Sequence, residues 1–259
     1  MSTAIDKYLK QIVLPRPDSH KGENGRVLVI GGSKLFHAAS FWSASMVSKM
    51  VDMVHFSSHA VENNELMRVR AKGKFWEGMV VPWEDLDRYI VEDDCILIGP
   101  GMERGEETRE IVNKLLKKYP EKRWVVDGGA LQEVDAKLLN KNMIVTPNKR
   151  EQEYLAGKDL NGATVLAKGE VDRVVSGENS EEIAGGSAGM TKGGTGDVLA
   201  GIVCGLYAKS PAMASCVVAS HVNKRAGEEL EKKVGTFFSA SDLIGEVQKV
   251  FGEMLDMGV

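Results

Sequence analysis

The hydrophobic positions of this chain fall into short, uninterrupted apolar runs, and most of these runs are followed closely by glycine. Such runs lack the alternating polar positions of a half-exposed strand, and they are typical of strands buried on both faces of a parallel sheet. Strands are predicted at residues 26–30, 94–98, 124–126, 143–145 and 164–167, with a further short strand at 173–176.

Segments with apolar residues at helical spacing separate these strands, and one of them places Ile111, Leu115 and Leu116 on a single face. Helices are predicted at 38–51, 106–118, 198–208, 212–232 and 240–255. The alternation predicts a doubly wound α/β sheet with ligands beyond the carboxyl ends of the strands. The length of the chain fits one large domain or two small ones. The segments 13–25 and 176–190 are expected to be loops, because turn-forming and polar residues dominate them.

The composition and net charge of the chain exclude several classes of protein. The 259 residues carry a net charge of −4, and 43% of them are hydrophobic. These values are typical of a soluble globular domain and argue against a general nucleic-acid-binding protein, which would carry a basic surface. The polar N-terminus lacks a signal-peptide core, and no apolar stretch reaches the roughly 20 residues that span a bilayer. The three widely spaced cysteines form no zinc motif. We therefore expect a cytoplasmic protein with no membrane association.

A glycine-rich run at 189–197, Gly-Met-Thr-Lys-Gly-Gly-Thr-Gly-Asp, directly precedes an apolar helix. Glycines let backbone amides approach an anion, and a helix N-terminus adds unpaired N–H groups and the positive end of its dipole. The run therefore predicts a phosphate site, although its spacing is not that of a Walker A loop. Asp197 is suited to take a proton from an attacking hydroxyl. The alternative is that Asp197 only caps the helix.

The form Gly-Met-x-x-Gly-Gly-Thr-Gly-Asp-Val-Leu-Ala-Gly at 189–201 resembles the NAD(P)H-hydrate dehydratases, carbohydrate-kinase-like members of the ribokinase superfamily. The resemblance covers residues 13–250 and includes the opening segment 18–33, Gly99-Pro100-Gly101, and Ala-Ser-Asp-Leu-Ile at 240–244. It implies a ribokinase-like three-layer α/β/α fold with a mostly parallel central sheet, formed as a single domain over residues 1–259. It also implies a homo-oligomer.

The resemblance further implies a reaction and a set of residue roles. ADP or ATP, with Mg²⁺, would phosphorylate the ring hydroxyl of the S form of hydrated NADH or NADPH, and loss of phosphate would restore the cofactor. The implied catalytic residues are Asp197, as base, and Gly194, Thr195 and Gly196, whose amides would stabilise the phosphoryl group. The implied nucleotide-binding residues are Lys168, Gly169, Glu170, Val171, Asp172 and Gly196. The implied substrate-binding residues are Ala39, Gly101, Asn148 and Asp197, and Glu151 would hold Mg²⁺ through water.

The sequence departs from the family pattern at three places. Asn148 stands where the dehydratases more often have histidine, Ala38-Ala39 replaces Gly-Ala, and Asp127-Gly128-Gly129 replaces Asp-Ala-Asp. Asn148-x-x-Glu151 is also the pattern of the superfamily's small-molecule kinases, so a kinase of a sugar or a hydroxymethyl heterocycle is the first alternative. A nucleotide-sensing protein without activity is the second. Asp127 ends a strand, where a functional role and a capping role are both open. The glycines at 99–105 also form a loose dinucleotide-binding pattern.

Overall fold

The computed structural model describes residues 3–73 and 77–256. In this part of the chain a nine-stranded sheet has the order β3-β2-β1-β4-β5-β6-β7-β8-β9. The strands are β1 (Arg26–Ile30), β2 (Met53–Ser57), β3 (Met79–Val80), β4 (Cys95–Ile98), β5 (Arg123–Val126), β6 (Met143–Val145), β7 (Thr164–Ala167), β8 (Asp172–Ser176) and β9 (Asn179–Ile183). The strands from β3 to β7 in the sheet order pair in parallel, and β8 and β9 add antiparallel to that edge.

The helices cover both faces of the sheet. They are α1 (Thr3–Leu9), α2 (His37–Val47), α3 (Val61–Gly73), α4 (Leu86–Glu92), α5 (Glu106–Lys118), α6 (Gly128–Glu133), α7 (Lys149–Leu155), α8 (Thr195–Tyr207), α9 (Ala212–Val234) and α10 (Ala240–Asp256). None of the described helices combines the length and the apolar character that crossing a membrane requires.

The core forms two layers because successive side chains of a strand point to opposite faces of the sheet. On β1, Val27 and Val29 pack with residues of α2, α8, α9 and α10. Leu28 and Ile30 of the same strand pack on the other side with residues of α4, α5 and α6. The central strands are therefore apolar on both faces, which explains the uninterrupted runs in the sequence.

The predicted doubly wound α/β architecture is confirmed, and all six predicted strands and five predicted helices are present within a few residues of their expected bounds. The first predicted helix is shorter than expected, because α2 ends at Val47 rather than at residue 51. The expectation of a loop throughout 176–190 was wrong, because β9 forms there. This strand is polar and mostly exposed at the edge of the sheet, so it carries no run of apolar residues.

Candidate active site

A cavity of about 1080 Å³ lies beyond the carboxyl ends of β5, β6 and β7, beside the N-terminus of α8. Asp127 directly follows β5, and Lys168 directly follows β7. The cavity brings together most of the residues that the sequence singled out, namely Asn148, Glu151, Lys168 to Asp172, and Gly194 to Asp197. Parallel strands make this clustering possible, because all of their carboxyl ends meet at one edge of the sheet.

The glycine-rich run forms the N-terminus of α8, as the sequence predicts. Gly194 caps the helix in the left-handed conformation, with a φ of 97°. A β-carbon at this position would lie 2.5 Å from the Trp42 ring, so both conformation and packing require glycine. In the described part of the chain, the amides of Gly194 and Gly196 make no hydrogen bond. Two unpaired donors at a helix N-terminus form a site suited to a phosphoryl group.

Thr195 holds the rest of the run against this helix. Its hydroxyl donates to the carbonyl oxygens of Met190 and Lys192, at 2.6 and 3.0 Å. Its amide also makes a long bond to the Lys192 carbonyl, at 3.4 Å. The side chain of Thr195 therefore fixes the position of the loop, and of the three amides predicted to bind phosphoryl, the Thr195 amide is the one already engaged.

Asp197 is the third residue of α8, and the interpretation of this residue as the helix cap was wrong because Gly194 holds that position. The Ser43 hydroxyl fixes the backbone of Asp197 by donating to its carbonyl oxygen at 2.8 Å. Burial, together with the negative charges of Asp127 and Glu151, raises the pKa of Asp197 to about 7, while Lys168 opposes the shift. A carboxyl group with this pKa is suited to general-base catalysis near neutral pH.

A buried network supports Lys168 at the floor of the cavity. Its ammonium donates to Asp127 Oδ1 at 2.7 Å, and the Thr146 hydroxyl donates to the same oxygen at 2.6 Å. Burial alone would lower the pKa of Lys168, but the negative charges of Asp127 and Glu151 raise it overall. Lys168 therefore carries its positive charge within reach of Gly196, where a β-carbon would lie 3.5 Å from the ammonium.

Asp127 was not among the predicted site residues. Its carboxylate makes no capping hydrogen bond to α6, so the capping interpretation was wrong. The signal in the sequence was its position at the carboxyl end of a buried strand, where a buried carboxylate needs a partner. The partner, Lys168, follows a strand two places away in the sheet order, and only the fold brings the two residues together.

Asn148 and Glu151 form a reciprocal capping box at the start of α7. Asn148 Oδ1 accepts from the amides of Arg150 and Glu151, and Glu151 Oε2 accepts from the Asn148 amide at 2.8 Å. The other oxygen of Glu151 accepts from Gln132 at 3.1 Å. The Asn-x-x-Glu pattern thus has a local structural role. The amide nitrogen of the Asn148 side chain has no partner in the described residues.

Lys224 on α9 fixes the position of the loop that follows β7. The buried ammonium of Lys224 donates to the carbonyl oxygens of Gly169, Glu170 and Gly185, at 2.8–3.3 Å. Asp172 faces the protein rather than the cavity centre, since it accepts from the Gly169 amide and from the Ser220 hydroxyl. No pattern in the sequence indicates this role for Lys224, because a lysine in a long helix is normally a surface residue.

Ala39 and Gly101 line a separate, smaller pocket of about 490 Å³, together with Gly129 and Gln132. Gly101 has a φ of 72°, and a β-carbon there would lie 2.2 Å from the Phe36 carbonyl oxygen. The glycines after β4 therefore serve the close approach of two backbone segments. Gly128 lines the large cavity while the adjacent Gly129 lines this pocket, so the two spaces are neighbours. The substrate-binding role of Ala39 and Gly101 stays a prediction.

Comparison with known proteins identifies the family to which this chain is similar. Residues 27–249 match the model of the carbohydrate-kinase-like family described as NAD(P)H-hydrate dehydratase. The ADP-dependent (S)-NAD(P)H-hydrate dehydratase of Nitrosopumilus maritimus is 30% identical, with 96% of each chain covered. The bifunctional NAD(P)H-hydrate repair enzyme of Methanocaldococcus jannaschii is 34% identical over 90% of this chain, and this chain spans about half (49%) of its length.

Solved structures confirm the ribokinase-like fold. A ribokinase-like superfamily protein from Enterococcus faecalis superposes with a TM-score of 0.85 at 22% identity, covering 98% of this chain and 95% of the other. The ADP/ATP-dependent NAD(P)H-hydrate dehydratase of Bacillus subtilis, co-crystallised with ATP and Mg²⁺, gives a TM-score of 0.77 at 18% identity, covering 96% of both chains. On the match to the family model and to full-length relatives, this chain belongs to the NAD(P)H-hydrate dehydratase family.

Proposed function

We propose that this protein is an ADP- or ATP-dependent (S)-NAD(P)H-hydrate dehydratase that repairs hydrated nicotinamide cofactors. The observation that carries the proposal is the position of Asp197. This carboxyl group has a pKa of about 7 and lies in the same first helical turn as the unpaired amide of Gly196. The pairing of a base with an anion site is what transfer of a phosphoryl group to a hydroxyl requires. The names of full-length relatives supply the substrate class.

In the proposed first step, the ring hydroxyl of the hydrated cofactor attacks the terminal phosphorus of the nucleotide. Asp197 takes the proton of that hydroxyl as the new O–P bond forms and the bond to the leaving nucleotide breaks. The amides of Gly194 and Gly196 and the charge of Lys168 stabilise the negative charge of the transferring group. In the second step the ring C–O bond breaks with loss of phosphate and a ring proton, which restores the double bond of NADH or NADPH.

Mg²⁺ fits this site through water rather than through direct ligands. No group of three candidate ligands suited to a metal ion occurs among the described residues. Glu151 is nevertheless a buried carboxylate that lines the cavity, and within the described residues it forms no salt bridge, although its charge acts on Lys168. The ion would offset the charge of the phosphates, and Glu151 is the residue we propose to hold its water.

The hydrated ring is proposed to enter from the pocket lined by Ala39 and Gly101, which adjoins the cavity at Gly128-Gly129. The free amide nitrogen of Asn148 is available to donate to this substrate. The loop 168–172, fixed by Lys224, is proposed to bind the nucleotide. We also propose that residues 1–259 form one domain, that the protein acts in the cytoplasm, and that it assembles as a homo-oligomer without nucleic-acid or membrane partners.

The first experiment is recovery of the NADH absorbance from chemically prepared NADH hydrate, with Mg²⁺ and either ADP or ATP. We expect nucleotide-dependent recovery with release of phosphate in equal amount. Asp197→Asn should slow turnover by about 10²–10⁴-fold while nucleotide affinity stays close to that of the wild type, because the base acts only during transfer. Substantial activity in a folded Asp197→Asn protein would remove this residue from the mechanism.

A small-molecule kinase is the alternative that the assay also tests. A folded sample that binds nucleotide but restores no NADH from the hydrate would favour it, and phosphorylation of hydroxymethyl heterocycles would then be measured. The pattern that motivated this alternative, Asn148-x-x-Glu151, is accounted for by the capping box of α7.

A further inference from the structure

Gln132 on α6 lies between the two spaces of the candidate site. Its side chain lines the pocket of Ala39 and Gly101. Its Nε2 atom donates to Glu151 Oε1 at 3.1 Å, and Glu151 lines the large cavity. One hydrogen bond therefore connects a residue of the proposed substrate pocket with the carboxylate that is proposed to hold the water of Mg²⁺.

Two donors from different elements fix the Glu151 carboxylate. The Asn148 amide, before the first turn of α7, donates to Oε2 at 2.8 Å, while Gln132 on α6 donates to Oε1. The terminal torsion of a glutamate side chain is broad, so a single donor would leave the other oxygen able to rotate. With one donor on each oxygen, the plane of the carboxylate is fixed. The lone pairs that remain on the two oxygens then point in defined directions, as the placement of a water molecule requires.

The other end of the Gln132 amide contributes nothing to stability. Only the nitrogen of an amide can donate to a carboxylate, so the Gln132 Oε1 atom faces away from Glu151. This oxygen is inaccessible to solvent and accepts no hydrogen bond from the described residues. A buried acceptor without a partner costs free energy, and a methionine side chain would fill a similar volume without that cost. What glutamine adds at this position is therefore its hydrogen bond to Glu151.

We propose that Gln132 is a positioning residue, which orients Glu151 for the water-bound Mg²⁺ of the donor nucleotide. The inference rests on the proposed function, in which Glu151 holds that water. Gln132 acts through Glu151 and not by contact with the ion. Outer partners of this kind typically contribute about 10–100-fold to metal affinity or activity, because they fix the orientation of the group that faces the metal.

The test is the effect of Mg²⁺ on ADP affinity, measured by titration calorimetry on the full chain without the hydrated substrate. We expect Gln132→Met to raise by about tenfold the Mg²⁺ concentration at which half of the Mg²⁺-dependent gain in ADP affinity is reached. The Tm should stay close to that of the wild type, because removal of the unpartnered oxygen offsets the loss of the hydrogen bond. Gln132→Asn, whose shorter side chain withdraws the donor, should change the Mg²⁺ dependence in the same direction. Gln152→Met, at an exposed position of α7, is the matched control and should change neither quantity.

A double-mutant cycle with Glu151→Gln separates positioning from a general structural role. If Gln132 acts through Glu151, Gln132→Met should have little further effect on the Mg²⁺ dependence once Glu151 is replaced. Additive effects of the two substitutions, or an unchanged Mg²⁺ dependence in folded Gln132→Met or Gln132→Asn, would overturn the inference. A wild type whose ADP affinity does not depend on Mg²⁺ would overturn it as well. The readout is independent of dehydration, so a wild type that shows this Mg²⁺ dependence but restores no NADH would defeat the proposed function alone.

Discussion

At the scale of single residues, the chemistry of the candidate site depends on three charged groups that share one small volume. Asp127 and Lys168 pair directly, and Asp197 experiences both charges. Burial and Asp127 raise the pKa of Asp197, and Lys168 limits the rise. A carboxyl group that would be fully ionised in water is thereby brought near half ionisation at neutral pH.

This arrangement predicts the acid limb of the pH profile. The base is active when deprotonated, so kcat/KM should rise with pH through about 7, the pKa of Asp197. Asp127→Asn removes a like charge and frees Lys168 to act on Asp197, and both changes lower that pKa. We expect the limb to move to lower pH by about one unit. Asp18→Asn, at an exposed position, should leave the profile unchanged. A shift to higher pH would contradict this account.

Gly196 offers a second test at this scale. A methyl group there meets no backbone atom and would point toward the Lys168 ammonium, 3.5 Å away. Gly196→Ala should therefore fold, yet it should weaken nucleotide binding by crowding the phosphate site, as measured by calorimetry. Gly245→Ala in α10, where a methyl group meets nothing within 4 Å, is the control and should bind nucleotide normally. Equal affinities for the two variants would argue against a phosphate at Gly196.

At the scale of elements, three loop and helix segments meet at the cavity, and hydrogen bonds from polar side chains fix the position of each. Thr195 ties the glycine run to α8, the capping box fixes the start of α7, and Lys224 fixes the loop after β7. Replacing one of these buried polar groups should lower the free energy of unfolding, because its hydrogen-bond partners would remain buried without a partner.

At this scale we predict that Lys224→Met lowers both the stability of the protein and its affinity for nucleotide. It would leave three carbonyl oxygens and Asp172 without their cation, since Lys224 also lies 3.5 Å from Asp172. Removing one partner of a buried ion pair costs about 3–5 kcal/mol in the free energy of unfolding, which thermal or denaturant unfolding measures. Nucleotide affinity should fall as well. The exposed Lys232→Met, on the same helix, is the control and should change stability little. A small effect of Lys224→Met would show that the loop does not depend on it.

At the scale of the whole molecule, one edge of the sheet carries both candidate binding spaces. The pocket of Ala39 and Gly101 lies near the ends of β1 and β4, where the strand order changes direction, and the large cavity lies beyond β5 to β7. Ligands of open α/β sheets characteristically bind at such positions. In the proposed reaction, the donor nucleotide and the acceptor substrate would meet at Gly128-Gly129, where the two spaces adjoin.

Nucleotide binding should stabilise this architecture, because residues that follow strands and residues that begin helices both line the cavity. Free ADP at about 100 times its Kd should add about 2.7 kcal/mol to the free energy of unfolding. For a chain of this size the Tm should rise by about 5–10 °C, as followed by calorimetry. The absence of any shift with ADP in folded protein would contradict nucleotide binding.

The sequence by itself determined the fold class, the main strands and helices, the glycine run before α8, and the family. These features depend on short sequence motifs or on the spacing of hydrophobic residues. Buried parallel strands are apolar throughout, and phosphate-binding turns need glycine at fixed positions. The polar strand β9 escaped prediction because an edge strand needs no apolar run. The predicted catalytic, nucleotide-binding, substrate-binding and metal-binding roles of the site residues all stay predictions at the level of ligand contact.

Only the tertiary structure decided which charges meet. Asp127 and Lys168 are far apart in the sequence, and no pattern indicates their pairing, their effect on the pKa of Asp197, or the buried position of Lys224. The physical reason is that pKa values, and the hydrogen-bond partners available to buried polar groups, depend on distance and burial in three dimensions. The sequence specifies the elements, and the packing of those elements sets the electrostatic environment at the edge where they meet.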